Sequence, residues 1–133
     1  MAEYKKQLPA ITALDRPFWD AARKHELAVY RCSSCGAAYT RVTDCHCDSP
    51  ATGWVKASGR GQVYTFVVFH QLYHPAWKGD IPYNVAYIQL EEGPLLTSNI
   101  IGCPNDKIYI GMPVEVVFDD VTGEVTLPKF RPR

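Results

Sequence analysis

Residues 31–47 read RCSSCGAAYTRVTDCHC and hold four of the chain's five cysteines, Cys32, Cys35, Cys45 and Cys47. No other stretch restricts the fold so strongly. Cys32 and Cys35 are spaced Cys-x-x-Cys, which lets two thiolates close on one metal ion while amides of the turn support the sulfurs. Gly36 follows, where so tight a turn needs a positive φ. The second pair, Cys45-His46-Cys47, is one residue shorter than a standard knuckle. Either both cysteines bind, or His46 replaces one; four cysteines with His46 exposed is the reading adopted. Zinc is the expected metal, because its filled d shell tolerates an irregular knuckle. Iron also accepts four thiolates and is the less favoured alternative. A site closed by four thiolates leaves no position for water or substrate, so the metal is expected to be structural.

Whether clustered cysteines mean metal or disulfide depends on the compartment. The start, MAEYKKQLPA, carries charges with no apolar core after it. No run approaches the ~18 apolar residues of a membrane span. The expectation is a cytoplasmic chain away from membranes, where a reducing setting favours metal. With 14 basic and 14 acidic residues the chain is neutral, which argues against a general nucleic-acid binder. The charge is uneven. Residues 1–60 carry 9 basic and 6 acidic groups, residues 61–128 carry 2 and 8, and the tail KFRPR adds three more basic groups. An anion is better received by the first part or the tail than by the middle.

At 133 residues, 47% of them apolar, the chain has enough core for one domain or two small ones. Asp15 is placed to cap a helix with Pro17 in its first turn, running to about Lys24 or His25. Phe18, Trp19 and Ala22 give it one apolar side. So short a helix must dock on something, either its own domain or a partner subunit anchored by Phe18 and Trp19. Leu27–Tyr30 reads as a strand feeding into Cys32, and Ala37–Val42 as its return. Asp48–Gly53 is a linker by composition. Beyond it the chain reads as β, with strands at 54–57, 62–70, 84–90, 95–101 and 112–118 and a last one around Val125, Leu127 and Phe130, weakened by Pro128. The main strands and their short connections fit a five-stranded OB barrel, whose closure removes exposed edges. One connection is too long for a hairpin. Residues 71–83, QLYHPAWKGDIPY, carry Tyr73, Trp77 and Tyr83, side chains that often anchor an interface.

These features in this order resemble the acyl-CoA-associated family with a rubredoxin-like zinc ribbon and an OB-fold. The matching stretches are Pro17-Phe18-Trp19, Arg31-Cys32-Ser33-Ser34-Cys35-Gly36, Gly59-Arg60-Gly61-Gln62-Val63-Tyr64, Pro82-Tyr83-Asn84-Val85-Ala86, Leu90-Glu91-Glu92-Gly93-Pro94 and Ile110-Gly111-Met112-Pro113-Val114-Glu115-Val116. They cover about residues 15–120. The chain departs at its second knuckle, which lacks the family's proline and glycine. The resemblance implies a mainly β fold: an arm and docking helix over residues 1–26, a zinc ribbon over 27–50, and an OB-fold domain over 51–133. It also implies a small non-catalytic subunit that works with a larger acyl-CoA enzyme. A thiolase-like catalytic subunit is the leading partner; hydroxymethylglutaryl-CoA synthase-like proteins and hotdog-fold hydratases are the others.

The chain's own chemical groups fit a supporting role. Cys103 is a lone cysteine with no evident base, and such residues are usually small buried hydrophobes. His25, His70 and His74 read as packing or interface residues. Glu91 and Glu92 are adjacent and point apart, so they form no catalytic pair. Phe18, Trp19, Tyr73, Trp77 and Tyr83 are therefore expected at a partner interface. Arg60, Arg131 and Arg133 are candidates for CoA phosphates. The aromatic loop suits an aryl-substituted β-keto acyl-CoA, as in a benzoylsuccinyl-CoA thiolase. A nucleic-acid-binding ribbon and OB module is the rival from another class, and the acidic middle counts against it.

Overall fold

The computed structural model describes residue 6, residues 8–40 and residues 52–133. Among these described residues are one α-helix, α1 (Arg16–Arg23), two short 3-10 turns, and eight strands: β1 (Ala28–Cys32), β2 (Ala38–Tyr39), β3 (Thr52–Lys56), β4 (Arg60–Phe69), β5 (Tyr83–Leu90), β6 (Leu95–Ser98), β7 (Pro113–Asp120) and β8 (Thr126–Pro132). No helix among the described residues is long and apolar enough to cross a membrane.

Pro17 lies in the first turn of α1 as expected. Asp15 precedes the helix but does not cap it with its side chain. Its Oδ1 instead accepts from the amide and hydroxyl of Thr12, at 2.7 and 2.8 Å. The helix ends where Lys24 and His25 turn back onto Ala21 and Ala22, and His25 adopts a φ of 60°.

The strands form two sheets, β2-β1-β3 and β6-β5-β4-β7-β8. In the first, β3 pairs along the whole of β1, from Ala28 opposite Lys56 to Cys32 opposite Thr52. The sequence reading puts this strand at the start of the OB-fold domain; in the structure its ladder partner is β1. The expected boundary at residue 50 lies outside the described residues, as does the return strand beyond Thr40.

The larger sheet is antiparallel throughout and curls until β6 and β8 meet. Ile100 bridges Phe130 in parallel, with Phe130 donating to Asn99 O at 3.0 Å and Ile101 donating to Phe130 O at 2.8 Å. This is an OB-like curled sheet. Pro128 does not interrupt β8, because β8 is an edge strand and Pro128 lacks only an outward donor. Strand alternation sorts the residues cleanly. Val63, Ala86, Ile88, Val114 and Phe130 point inward and are buried with Leu27, Val29 and Phe18 in one core. The barrel, the first sheet and the helix thus share a single interior.

Two buried features pin the curl. Asn84 on β5 is 6% exposed; its Nδ2 donates to Ile100 O and to Asn105 Oδ1, both at 2.9 Å, and its Oδ1 accepts from Ile100 N at 2.6 Å. Gly61 lets β4 approach β5, since a Cβ there would stand 2.5 Å from the Gln89 carbonyl oxygen. The Gly-Arg-Gly segment opening β4 is therefore a packing requirement, and it carries no phosphate cradle.

Candidate functional site

Cys32 ends β1, fully buried, and Cys35 stands exposed in the turn beyond it. Gly36 N–H donates to Cys32 O at 2.7 Å and Cys32 N–H to Ala37 O at 3.0 Å. Gly36 has a φ of 74°. The turn is thus the tight knuckle that the spacing predicts. The Cys35 Sγ lies 3.6 Å from the Tyr39 hydroxyl. Cys45, His46 and Cys47 lie outside the described residues, and among the described ones no cluster of three or more His, Cys, Asp or Glu gathers to hold a metal.

The expected interface residues separate. Phe18 is 6% exposed and sits in the core, its ring 5.0 Å from Trp19 and 6.4 Å from Trp54. It holds the helix to its own domain and is not a surface anchor. Trp19 is half-buried and lines a groove of about 650 Å³ with Tyr87, Leu95 and Thr97. In the long loop, Trp77 stacks on Tyr83 at 4.2 Å and Tyr83 on Phe69 at 5.1 Å, while Tyr73 meets Phe69 edge-on at 6.0 Å. The Lys6 ammonium sits 4.4 Å over Trp77 and pairs with Asp80 at 2.8 Å. His74 caps the 3-10 turn Pro75–Trp77, its Nδ1 accepting from Ala76 N at 3.1 Å. Rings and cap order the loop internally, yet Tyr73 remains 68% exposed.

Between Trp19 and this loop runs the outward face of β4, β5 and β6. The register lays it out in rows: Gln62, Gln89 and Leu95; Thr65, Tyr87 and Thr97; Val67 and Val85; Phe69 and Tyr83. None of these side chains is charged. Val67 is 53% exposed and Tyr87 47%. Sequence reasoning missed this face, although the signal was visible. QVYTFVVF and YNVAYIQL lack a charge in either phase of their alternation, whereas a strand with one solvated side usually shows polar residues there.

The same sheet is charged on its other half. Arg60, Glu115 and Arg131 lie opposite one another across β4, β7 and β8. Arg131 Nε donates to Glu115 Oε1 at 2.9 Å. Arg133 N–H donates to Pro113 O at 3.0 Å, continuing the ladder, and its side chain edges a cleft of about 390 Å³ with Gln62 and Gln89. The three arginines expected to meet anions do share one face, with Arg131 already engaged by Glu115.

Most of the remaining titratable candidates are held in structural contacts. His25 stacks on Phe118 at 5.2 Å, and its Nε2 lies 3.0 Å from both carboxylate oxygens of Asp120. The Thr126 hydroxyl donates to Asp120. That hydrogen bond first, then the one from His25, holds the Asp120 carboxyl below its ordinary value. Cys103 packs against the core and its Sγ donates to Pro104 O at 3.5 Å. Glu92 Oε2 accepts from Ser58 N at 2.9 Å. His70 is exposed at the end of β4.

Residues 54–119 match the model of the ChsH2 C-terminal OB-fold domain. The chain is 42% identical over 93% of its length to a probable enoyl-CoA hydratase alpha subunit of Thermomonospora curvata, and spans 39% of that protein. It is 33% identical to the 3-oxo-4,17-pregnadiene-20-carboxyl-CoA hydratase alpha subunit of Mycobacterium tuberculosis, over 77% of this chain and 33% of that one. The chain therefore spans about two fifths or less of these two longer relatives. Against a DUF35 domain-containing scaffold protein of Methanocaldococcus jannaschii it is 37% identical, over 77% of this chain and 78% of the other. Among solved structures, the Ltp2-ChsH2(DUF35) aldolase contains a chain 40% identical, with a TM-score of 0.81, covering 94% of this chain and 98% of that one. With this fold and this extent of likeness, the chain belongs to the DUF35 family, with an OB-fold of the ChsH2 type.

Proposed function

We propose that this chain is a non-catalytic, cytoplasmic accessory subunit of a thiolase-type acyl-CoA enzyme. The observation that carries the reading is the likeness over 98% of the related chain in the Ltp2-ChsH2(DUF35) aldolase. It is supported by the placement of His25, His74, Cys103 and Glu92, each spent on a structural contact. The partner's thiolate would attack the 3-keto carbon of a β-keto acyl-CoA, and thiolysis by CoA would release the products. This chain would support the partner's fold and keep water from the acyl pocket. The aromatic loop suits an aryl-bearing acyl group. Arg60 and Arg133 would meet CoA phosphates, whereas Arg131 would first have to release Glu115.

The Cys32–Cys35 knuckle fits half of a tetrathiolate zinc site, with Cys45 and Cys47 as the other half. Zinc would supply a crosslink there and no chemistry. Gly36 and Ala37 fix the backbone beneath the sulfurs, and Tyr39 offers a hydroxyl to Cys35.

Co-expression with a thiolase-type subunit from the same organism tests the reading. The two should co-purify, colourless, with one zinc per copy of this chain, and Cys103→Ala should leave thiolysis intact. Failure to co-purify, or loss of thiolysis in an intact Cys103→Ala complex, contradicts it. A hydratase partner is the second reading, favoured by the names of the two longer relatives. Hydration of an enoyl-CoA by the purified complex, without thiolysis, would select it.

A further inference from the structure

The geometry points to the outward face of β4, β5 and β6 as the seat of the catalytic subunit, an inference that rests on the function just proposed. The exposed faces of the larger sheet differ sharply. On β7 and β8 the outward positions include Glu115, Asp119, Lys129 and Arg131, joined in two ion pairs at 2.9 and 2.7 Å, which is how a sheet face meets water. Arg60, the first residue of β4, belongs to this charged end, opposite Glu115; beyond it the outward rows of β4, β5 and β6 hold only Gln, Thr, Val, Leu, Phe and Tyr.

Charge decides the kind of occupant. Beyond Arg60 the sheet part of the face carries no cation, and at its ends Lys129 in the groove and Lys6 at the loop are each paired with a carboxylate, Asp119 and Asp80, so the face suits neither nucleic acid nor the CoA headgroup. Both find their arginines at the charged end of the sheet. The complement of an uncharged, aromatic and β-branched face is another protein surface that is itself uncharged at its centre. The face is also continuous. It runs from the groove beside Trp19, past Tyr87 and Val67, to the stack of Tyr83 and Trp77. At ~4.8 Å between strands and ~3.4 Å per residue, the sheet part alone covers about 300 Å². The ~800 Å² that a stable interface takes from each partner therefore requires the groove and the loop as well. A broad occupant that reaches both ends is a folded subunit rather than a peptide. The family relationship supplies the candidate, a large acyl-CoA enzyme.

The test introduces a charge where the interface centre would be. Val67→Glu and Tyr87→Lys replace exposed side chains, and circular dichroism with thermal melting should show both variants folded as the parent. Affinity for the purified thiolase-type subunit is then read by titration calorimetry. Each variant should bind at least ~100-fold more weakly, because a buried, unpaired charge is strongly unfavourable. Ile110→Glu is the control, since Ile110 is 68% exposed on a separate loop, and it should bind like the parent. Unchanged affinity of the two face variants, or loss only with Ile110→Glu, overturns the inference. A parent chain that dimerises alone, through a contact that Val67→Glu breaks without weakening thiolase binding, assigns the face to a second copy and also overturns it. If the parent binds a hydratase-type subunit and no thiolase-type one, the choice of partner fails and the same variants decide the face against that subunit. Binding to neither subunit refutes both.

Discussion

Asn84→Leu should destabilise the protein by about 2–4 kcal/mol, because one side chain satisfies both backbone groups of Ile100. Ile100 is 3% exposed. Its N–H donates to Asn84 Oδ1 and its C=O accepts from Asn84 Nδ2. Leucine fills nearly the same volume and leaves both groups without a partner. Each buried orphan costs about 1–3 kcal/mol. The lower part of the summed range applies, because half-buried Asn105 stands at one end of the network, where water can reach it. The loss falls where β6 and β8 close the sheet, since Ile100 is the residue that bridges Phe130. Urea unfolding followed by far-UV circular dichroism reads it directly. With a slope of about 1–3 kcal/mol per molar, the midpoint should fall by about 1–2 M. Asn105→Ala, which removes only one of the acceptors of Asn84, should cost about 1 kcal/mol and serves if the first variant does not fold. A midpoint lowered by less than ~0.3 M for Asn84→Leu would refute the role given to this network.

Gly61→Ala should lower stability by about 1–3 kcal/mol, because the Gln89 carbonyl would have to move away from the new methyl group; an unchanged urea midpoint would contradict the close approach. Asp120 has a folded-state carboxyl below its unfolded value. Its contribution to stability is therefore present above the unfolded pKa and is lost as pH falls through the folded one. Asp120→Asn should flatten the acid limb of the melting-temperature profile and leave the shape near neutrality alone. Cys32→Ser should empty the proposed metal site and lower the melting temperature by roughly 10 °C or more, with metal content measured by elemental analysis.

Much of this architecture was legible in the sequence, for physical reasons that differ by element. The long strands β4, β5 and β7 announced themselves because β-branched and aromatic residues crowd them, and Val114, Val116 and Phe118 share a face as their spacing requires. The Cys-x-x-Cys-Gly spacing specified its turn because only a tight backbone can bring the two cysteines together. What failed was whatever depended on partners distant in sequence. The partner of β3 is β1, across the cysteine turn, a pairing that composition does not reveal. Asp15 has a capping residue's chemistry, but Thr12 offered it nearer donors. Phe18 and Trp19 are neighbours on a helix, and only packing shows that one faces the core and the other the groove. For the candidate site, the sequence identified the aromatic loop and the three arginines. It did not reveal that β4, β5 and β6 join Trp19 to that loop through an uncharged face, because a face belongs to the register between strands.

The central claim is that this chain completes an enzyme whose reacting groups lie on another subunit. Thiolysis of a β-keto acyl-CoA by the thiolase-type subunit, assayed alone and with stoichiometric amounts of this chain, tests it most directly. The account predicts little turnover from either protein alone, restored turnover from the pair, and loss of that restoration with Val67→Glu. Full activity of the thiolase-type subunit by itself, unchanged when this chain is added, would contradict it.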